Sequence, residues 1–187
     1  MTTRILLAVT GASGQLYATA LARALGRAEG VELHLVLSDA AREVMRHEDG
    51  ADPDELAALA HAVHHERDLA APPASGSWRL HGMVICPCSM ASLAAIAQGL
   101  GNNLIHRAAD VCLKERIPLV LVPRETPLSA IHLENMLRAQ RAGAVILPAC
   151  PGFYHRPATL PDLADHLAGK ILDQLAIPHD LFRRWGA

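Results

Sequence analysis

Aromatic residues are scarce in this chain: two Trp, two Tyr and two Phe make up 3% of its 187 residues. Three of the six, Phe153, Tyr154 and Trp185, fall in polar, turn-rich surroundings near the C-terminus, where they serve either a site or the cap of a core or interface. Long apolar runs are missing too. None approaches the roughly 18 to 20 residues that a membrane span needs, and "MTTRILLAVTG" breaks at a glycine turn, so it reads as a strand and not a signal peptide. A formal net charge of -2 with scattered signs leaves no basic stripe for nucleic acid. Four cysteines, Cys86, Cys88, Cys112 and Cys150, show no secreted framework and fit reduced thiols in a cytoplasm. Also absent are the glycine triplet of the dinucleotide fingerprint and the lysine of the P-loop; "TGASGQ" (10–15) supplies neither.

What is present is an aliphatic chain, 51% apolar, which excludes disorder and predicts one domain over 1–187 with ample core. Five near-continuous apolar runs read as strands of a parallel sheet covered on both faces: "RILLAVT", "VELHLVL", "MVICPC", "PLVLVP" and "AVILPA". Helical patterns lie between and after them, over 16–25, 40–45, 54–63, 93–97, 108–115, 129–141 and 160–175. This alternation predicts an α/β, three-layer, doubly wound Rossmann-like fold. "APPASGS" (71–77) reads as the only long irregular stretch.

Ligands of such folds sit beyond the carboxyl ends of the strands. The first strand ends in Thr10, Gly11, Ala12, Ser13 and Gly14, the second in Ser38, the third in "CPCSMAS", the fourth in "PRETP" and the fifth in "PACPGFYHRP". Ser13 and Gly14 open a helix, whose free N–H groups suit an anion; Ser89 and Ser92 open another beside it. Arg124 can add a bidentate contact to phosphate. Asp39 stands where dinucleotide enzymes place a ribose-binding acid, but without the glycine triplet a mononucleotide such as FMN fits better.

Plainer readings accompany other residues. Arg107, Lys114 and Glu115 share a helix and would ordinarily form a solvated, salt-bridged face. Glu48 reads as a helix-end charge, Tyr154 as a cap on the sheet, and Trp185 as a frayed or interface aromatic. His61 and His65 in "HAVHHE" have i, i+4 spacing, which can bind metal on a helix, but no third ligand is evident and a surface helix face is expected. Cys86 and Cys88 lack the C-x-x-C spacing and read as buried strand-end thiols.

The segments "TGASG", "CPCS", "NNLIHRAADVCLKERIPLVLVPRETPL", "IHLENM", "GAVILPACPGFYHRP" and "LFRRWG" together resemble the UbiX-type flavin prenyltransferases, from Ile5 to Gly186. The resemblance implies a flavodoxin-like fold, a homo-oligomer of twelve subunits with shared sites, and transfer of a dimethylallyl group from dimethylallyl phosphate to reduced FMN. The product, prenylated FMN, would serve a UbiD-type decarboxylase in ubiquinone synthesis or aromatic acid metabolism. By position, Gly11, Ala12 and Ser13 match the first FMN loop, Ser38 the second strand-end hydroxyl, Ser89, Met90, Ala91 and Ser92 the segment against flavin and phosphate, and Arg124 the FMN-binding arginine. Ser75, Arg107, Lys114, Glu125, Tyr154 and Lys170 match the pocket for the prenyl phosphate. Glu48 and Trp185 match residues beside the prenyl and flavin rings. Lys170 replaces an arginine of many members and loses its planar fork.

Under this resemblance the catalytic residues are Glu48, Lys114, Glu125 and Trp185. The sequence has no aspartate-rich cluster of the kind that holds Mg²⁺ on a diphosphate, so no metal is expected. Arg107, Lys114, Arg124 and Lys170 would stabilise the leaving phosphate. Trp185 and Glu48 suit a developing allyl cation, and the retained phosphate with Glu48 and Glu125 can move the proton of ring closure. Two other readings share the fold: a flavin-dependent cysteine decarboxylase, whose Asn-Met segment "HLENML" resembles only superficially, and a non-catalytic FMN-binding subunit. Flavin storage alone has no use for a second cationic pocket.

Overall fold

The computed structural model describes residues 2–48 and 52–186. Its elements in chain order are β1 (Thr3–Val9), α1 (Gln15–Arg27), β2 (Val31–Leu37), α2 (Asp39–Met45), α3 (Pro53–Leu59), β3 (Ala62–His65), a 3-10 turn (Pro72–Ala74), β4 (Gly82–Cys88), α4 (Met90–Ala97), α5 (Leu104–Glu115), β5 (Leu119–Pro123), α6 (Ala130–Arg141), β6 (Val145–Ile146) and α7 (Leu160–Gln174). All strands pair in parallel, in the order β3-β2-β1-β4-β5-β6. The order reverses between β1 and β4, where doubly wound folds bind ligands. Without the edge strand β3, the other five run in the flavodoxin order; β3 completes the six-stranded Rossmann order.

Alternate strand residues feed two separate cores, because successive side chains point to opposite faces. Ile5, Leu7, Val9, Leu33, Leu35, Val84 and Val120 pack under α1 and α7. Leu6, Ala8, Met83, Ile85, Leu119 and Leu121 pack under α4, α5 and α6. Cys86 and Cys88 are buried as expected, and burial pushes the Cys88 thiol up to about 12. No helix among the described residues is long and apolar enough to cross a membrane.

Three expectations need correction. The helix expected over 54–63 stops at Leu59, because Ala60 turns extended, and 62–65 form a sixth strand hydrogen-bonded to β2. On a strand, His61 and His65 stand roughly 13 Å apart, so the i, i+4 pair does not exist. Among the described residues no group of three His, Cys, Asp or Glu is placed to hold a metal. The fifth run is regular only at Val145 and Ile146; beyond them Leu147 and Ala149 still donate to Leu121 O and Pro123 O, while Pro148 has no N–H to give. The segment 71–77 is not the only long irregular stretch either, since 147–159 forms another.

The histidines of β3 do have a place in the fold. His34 Nδ1 lies 3.1 Å from His64 Nε2, the two rings stack, and Trp78 meets His34 edge-on. Burial first, then His64 and His61, hold His34 at about 4, below its ordinary 6.5, against the opposite pull of Glu32. The unfolded chain therefore takes up a proton that the folded ring refuses. This contribution to stability is complete above pH 6.5 and is lost as pH falls towards about 4. Thermal unfolding at pH 7 and pH 4.5 is expected to show a smaller acid-induced drop in Tm for His34→Leu than for the parent protein; equal drops would contradict the assignment.

Candidate active site

The ends of β1 and β4 are tied by one buried hydroxyl. Thr10 Oγ1 donates to Pro87 O at 2.7 Å and accepts from Ser89 N–H at 2.8 Å. The loop that follows is folded from within: the buried Gln15 amide donates to Thr10 O and to Ala12 O. Gly11 admits the start of α2, since a Cβ there would lie 2.6 Å from the Ala40 Cβ. Gly14 takes a left-handed conformation, φ 97°, at the N-cap of α1. The exposed Ser13 offers its carbonyl to Arg124 Nε at 3.1 Å.

The anion expected at Ser13 and Gly14 is the protein's own. Glu48 accepts from Gly14 N–H and Gln15 N–H, at 3.0 Å and 2.8 Å to Oε2, so the α1 terminus already holds a carboxylate. The neighbouring terminus of α4 differs. Ser89 Oγ accepts from Ser92 N–H at 3.2 Å and lies 3.3 Å from Ser92 Oγ, which His106 Nε2 also approaches at 3.3 Å. The N–H groups of Met90 and Ala91 precede the first helical bond, Leu93 N–H to Ser89 O. Two hydroxyls and the free N–H groups of this turn, with Arg124 near the adjacent loop, fit the phosphate of a mononucleotide. Ser38 caps α2 by accepting from Ala41 N–H at 3.0 Å, which leaves its own proton to donate. Glu125 follows β5 at the same edge and is exposed. Asp39, the ribose-binding alternative, is bridged to Arg67 at 2.6 Å.

The remaining expected residues form two groups elsewhere. On the α5 side, Arg107 donates to Ala74 O at 3.1 Å and pairs with Asp110 at 2.6 Å, and Lys114 pairs with Glu115. Ser75 bonds Ser77 at 2.8 Å, and a Cβ on Gly76 would strike Lys114 Nζ at 2.8 Å, so this loop lies against the end of α5. Only Arg116 to Pro118 separate α5 from β5, which puts Lys114 at the amino edge of the sheet. Within one subunit the expected salt-bridged face is what Arg107 and Lys114 form.

On the α7 side, Tyr154 Oη lies 3.2 Å from His166 Nε2, and the exposed Trp185 stands edge-on to Tyr154 at 5.6 Å. Lys170, about 15 Å along α7, lies 3.6 Å from Asp173. Asp173 also holds the tail through Arg184 at 2.8 Å and His179 at 3.2 Å; the Arg184 bond above all keeps its carboxyl below the usual range. Gly169 lets the tail close, since a Cβ there would lie 2.5 Å from the Phe182 ring. A cavity of about 530 Å³ opens between Tyr154, Arg156, Arg184 and Trp185.

One subunit therefore gathers Gly11, Ala12, Ser13, Ser38, Glu48, Ser89, Met90, Ala91, Ser92, Arg124 and Glu125 at the carboxyl edge. It does not bring Ser75, Arg107 and Lys114 to Tyr154, Lys170 and Trp185, because the sheet stands between α5 and α7. Sequence reasoning missed Gln15, His106 and His166, and placed Thr10 at the strand end without a role. The only signal for Thr10 and Gln15 was their position flanking the glycine loop; for His166 it was a polar residue within the apolar stripe Ala164, Leu167, Ala168 and Ile171.

A doubly wound parallel sheet with a hydroxyl-lined helix terminus and an arginine at its switch point defines a mononucleotide-binding α/β protein. The chain belongs to the Flavoprotein family, whose model matches residues 1–175, and within it to the UbiX-type flavin prenyltransferases. The Flavin prenyltransferase UbiX of Methanothermobacter thermautotrophicus is 54% identical over 97% of this chain and 94% of its own. A crystal structure of AnUbiX (PadA1) in complex with FMN and dimethylallyl pyrophosphate superposes with a TM-score of 0.96 at 47% identity, covering 100% and 99% of the two chains. A dodecameric FMN-dependent UbiX-like decarboxylase from Escherichia coli O157:H7 gives 0.95 at 44%, covering 99% and 100%. An FMN-dependent cysteine decarboxylase, TvaF, at 15% identity and a PPC decarboxylase at 18% share the fold alone.

Thr10→Val keeps the shape of the side chain but strips Ser89 N–H of its partner at a buried site and leaves Pro87 O with only the longer bond from Thr10 N–H at 3.3 Å. It is expected to lower the unfolding free energy in urea by about 2 kcal/mol. A loss under about 0.5 kcal/mol would show that the Thr10 link does not hold the two strand ends together.

Proposed function

We propose that the protein is a flavin prenyltransferase that joins the dimethylallyl group of dimethylallyl phosphate to reduced FMN. The observation that carries the reading is the second set of cations, Arg107, Lys114 and Lys170 with Tyr154, which flavin binding alone does not need. When bound, reduced FMN supplies N5 and C6 as the atoms that form the two new bonds. The α4 terminus with Ser89, Ser92 and Arg124 holds the FMN phosphate, and Gly11, Ala12, Ser13, Ser38, Met90 and Ala91 line the flavin.

Arg107, Lys114, Arg124 and Lys170, with Ser75 and Tyr154, take up the negative charge of the phosphate as the allylic C–O bond breaks. Charge fixed in advance around a departing phosphate is worth several kcal/mol in a water-excluded site. Trp185 offers a π face to the allyl cation and Glu48 a carboxylate that two backbone N–H groups hold in place. Ring closure consumes the remaining prenyl C=C bond: a proton is added to one alkene carbon, C6 bonds the other, and the C6 proton leaves; Glu48, Glu125 and the retained phosphate are the groups that deliver the first proton and accept the second. The donor in this reading is the monophosphate; among the described residues no group of three or more His, Cys, Asp or Glu is placed to hold a divalent ion of the kind that diphosphate donors ordinarily use.

The site is completed between copies of the chain. Ile131, Phe153 and Leu160 are 67%, 71% and 69% exposed, apolar side chains that an assembly would cover. Twelve subunits, as in the dodecameric relative, are the assembly that we propose, in the cytoplasm, with a UbiD-type decarboxylase receiving the product.

Anaerobic incubation with reduced FMN and dimethylallyl phosphate, with and without EDTA, tests the reading by mass spectrometry of the bound flavin. The flavin is expected to gain one isoprene unit in both arms. Unaltered FMN would contradict the transferase, and a product lost with EDTA and restored by Mg²⁺ would contradict its metal independence.

A further inference from the structure

His166 has no role in the chemistry above, yet it is 5% exposed and touches Tyr154 directly. Gly152 N–H donates to its Nδ1 at 3.3 Å. That nitrogen must then carry a lone pair, so the single proton of the neutral ring sits on Nε2, 3.2 Å from the Tyr154 oxygen. The ring is held neutral by burial first, then by His155 and Lys170, all of which push its pKa down. Its plane is fixed on two sides: His155 stacks on it at 4.6 Å and 6°, and Phe182 packs at 4.6 Å.

We infer that His166 is a positioning residue for the phosphate donor: it donates from Nε2 to the Tyr154 oxygen, so that the phenolic proton is left free to bond an incoming phosphate. This rests on Tyr154 serving the donor phosphate, as proposed above. Without the histidine, the phenol can rotate its proton inward or bond water, and a side chain that is 43% exposed must be ordered when the donor binds. Gly152 completes the clamp, since a Cβ there would lie 3.2 Å from the Tyr154 ring. The network also reaches the tail, because Trp185 meets Tyr154 edge-on and Phe182 belongs to the same segment.

Calorimetric titration of the FMN-loaded protein with dimethylallyl phosphate, paired with steady-state kinetics, tests this. His166→Phe keeps an aromatic ring but removes both hydrogen bonds; it is expected to weaken donor binding about fivefold and raise donor KM similarly, with kcat and FMN affinity unchanged. His166→Gln retains an N–H near the position of Nε2 and is expected to recover affinity to within about twofold. In a Tyr154→Phe background, His166→Phe is expected to cost nothing further, because the hydroxyl it serves is gone. Parent-like binding by His166→Phe overturns the proposal, as do a Gln variant no better than Phe and additive losses in the double variant. A parent protein that binds no dimethylallyl phosphate overturns the transferase reading itself, a result distinct from any of these.

Discussion

A parallel sheet covered on both faces sorts every helical residue into one of two layers, and the layers stand roughly 20 Å apart across the strands. The rest of the site follows from that partition. α5 carries Arg107 and Lys114 in one layer, α7 carries Lys170 in the other, and the strand ends between them carry the mononucleotide turn. Cations in two layers cannot converge on one phosphate inside one subunit. In the function proposed here, a second copy of the chain brings one group to the other.

At the carboxyl edge the same protein solves a different problem, that of ending buried strands without orphaned polar groups. Thr10 joins the two central strand ends, Gln15 fills the carbonyls of the first loop, and Glu48 neutralises the α1 terminus. The consequence for function is selective. With the α1 terminus taken by a carboxylate, the α4 terminus is the one that we propose takes the FMN phosphate, with Glu48 beside the allyl cation.

Much of this was legible in the residues. Five apolar runs such as "RILLAVT" and "PLVLVP" read as strands because a sheet buried on both faces needs no alternation, and they fixed the strand ends where the site lies. β3 was hidden, because "AVHH" is short, half-exposed and continues a helical pattern from α3. The role of Glu48 was hidden for another reason: its bonds to Gly14 and Gln15 span more than thirty residues, and a strand-end reading does not see such contacts. Periodicity likewise says that Arg107 and Lys170 are on helices but not which face of the sheet each helix covers. His166 interrupts the apolar stripe of α7, and only its two hydrogen bonds give it a purpose.

The most direct measurement of the central claim is subunit complementation. Chains carrying Arg107→Ala and chains carrying Lys170→Ala, each inactive as a pure assembly, are co-expressed with different tags and purified as mixed assemblies. If the phosphate site is built from two copies, some sites receive an intact Arg107 from one chain and an intact Lys170 from the other, and prenyl transfer returns. Mixed assemblies no more active than the two pure variants would contradict a site shared between subunits.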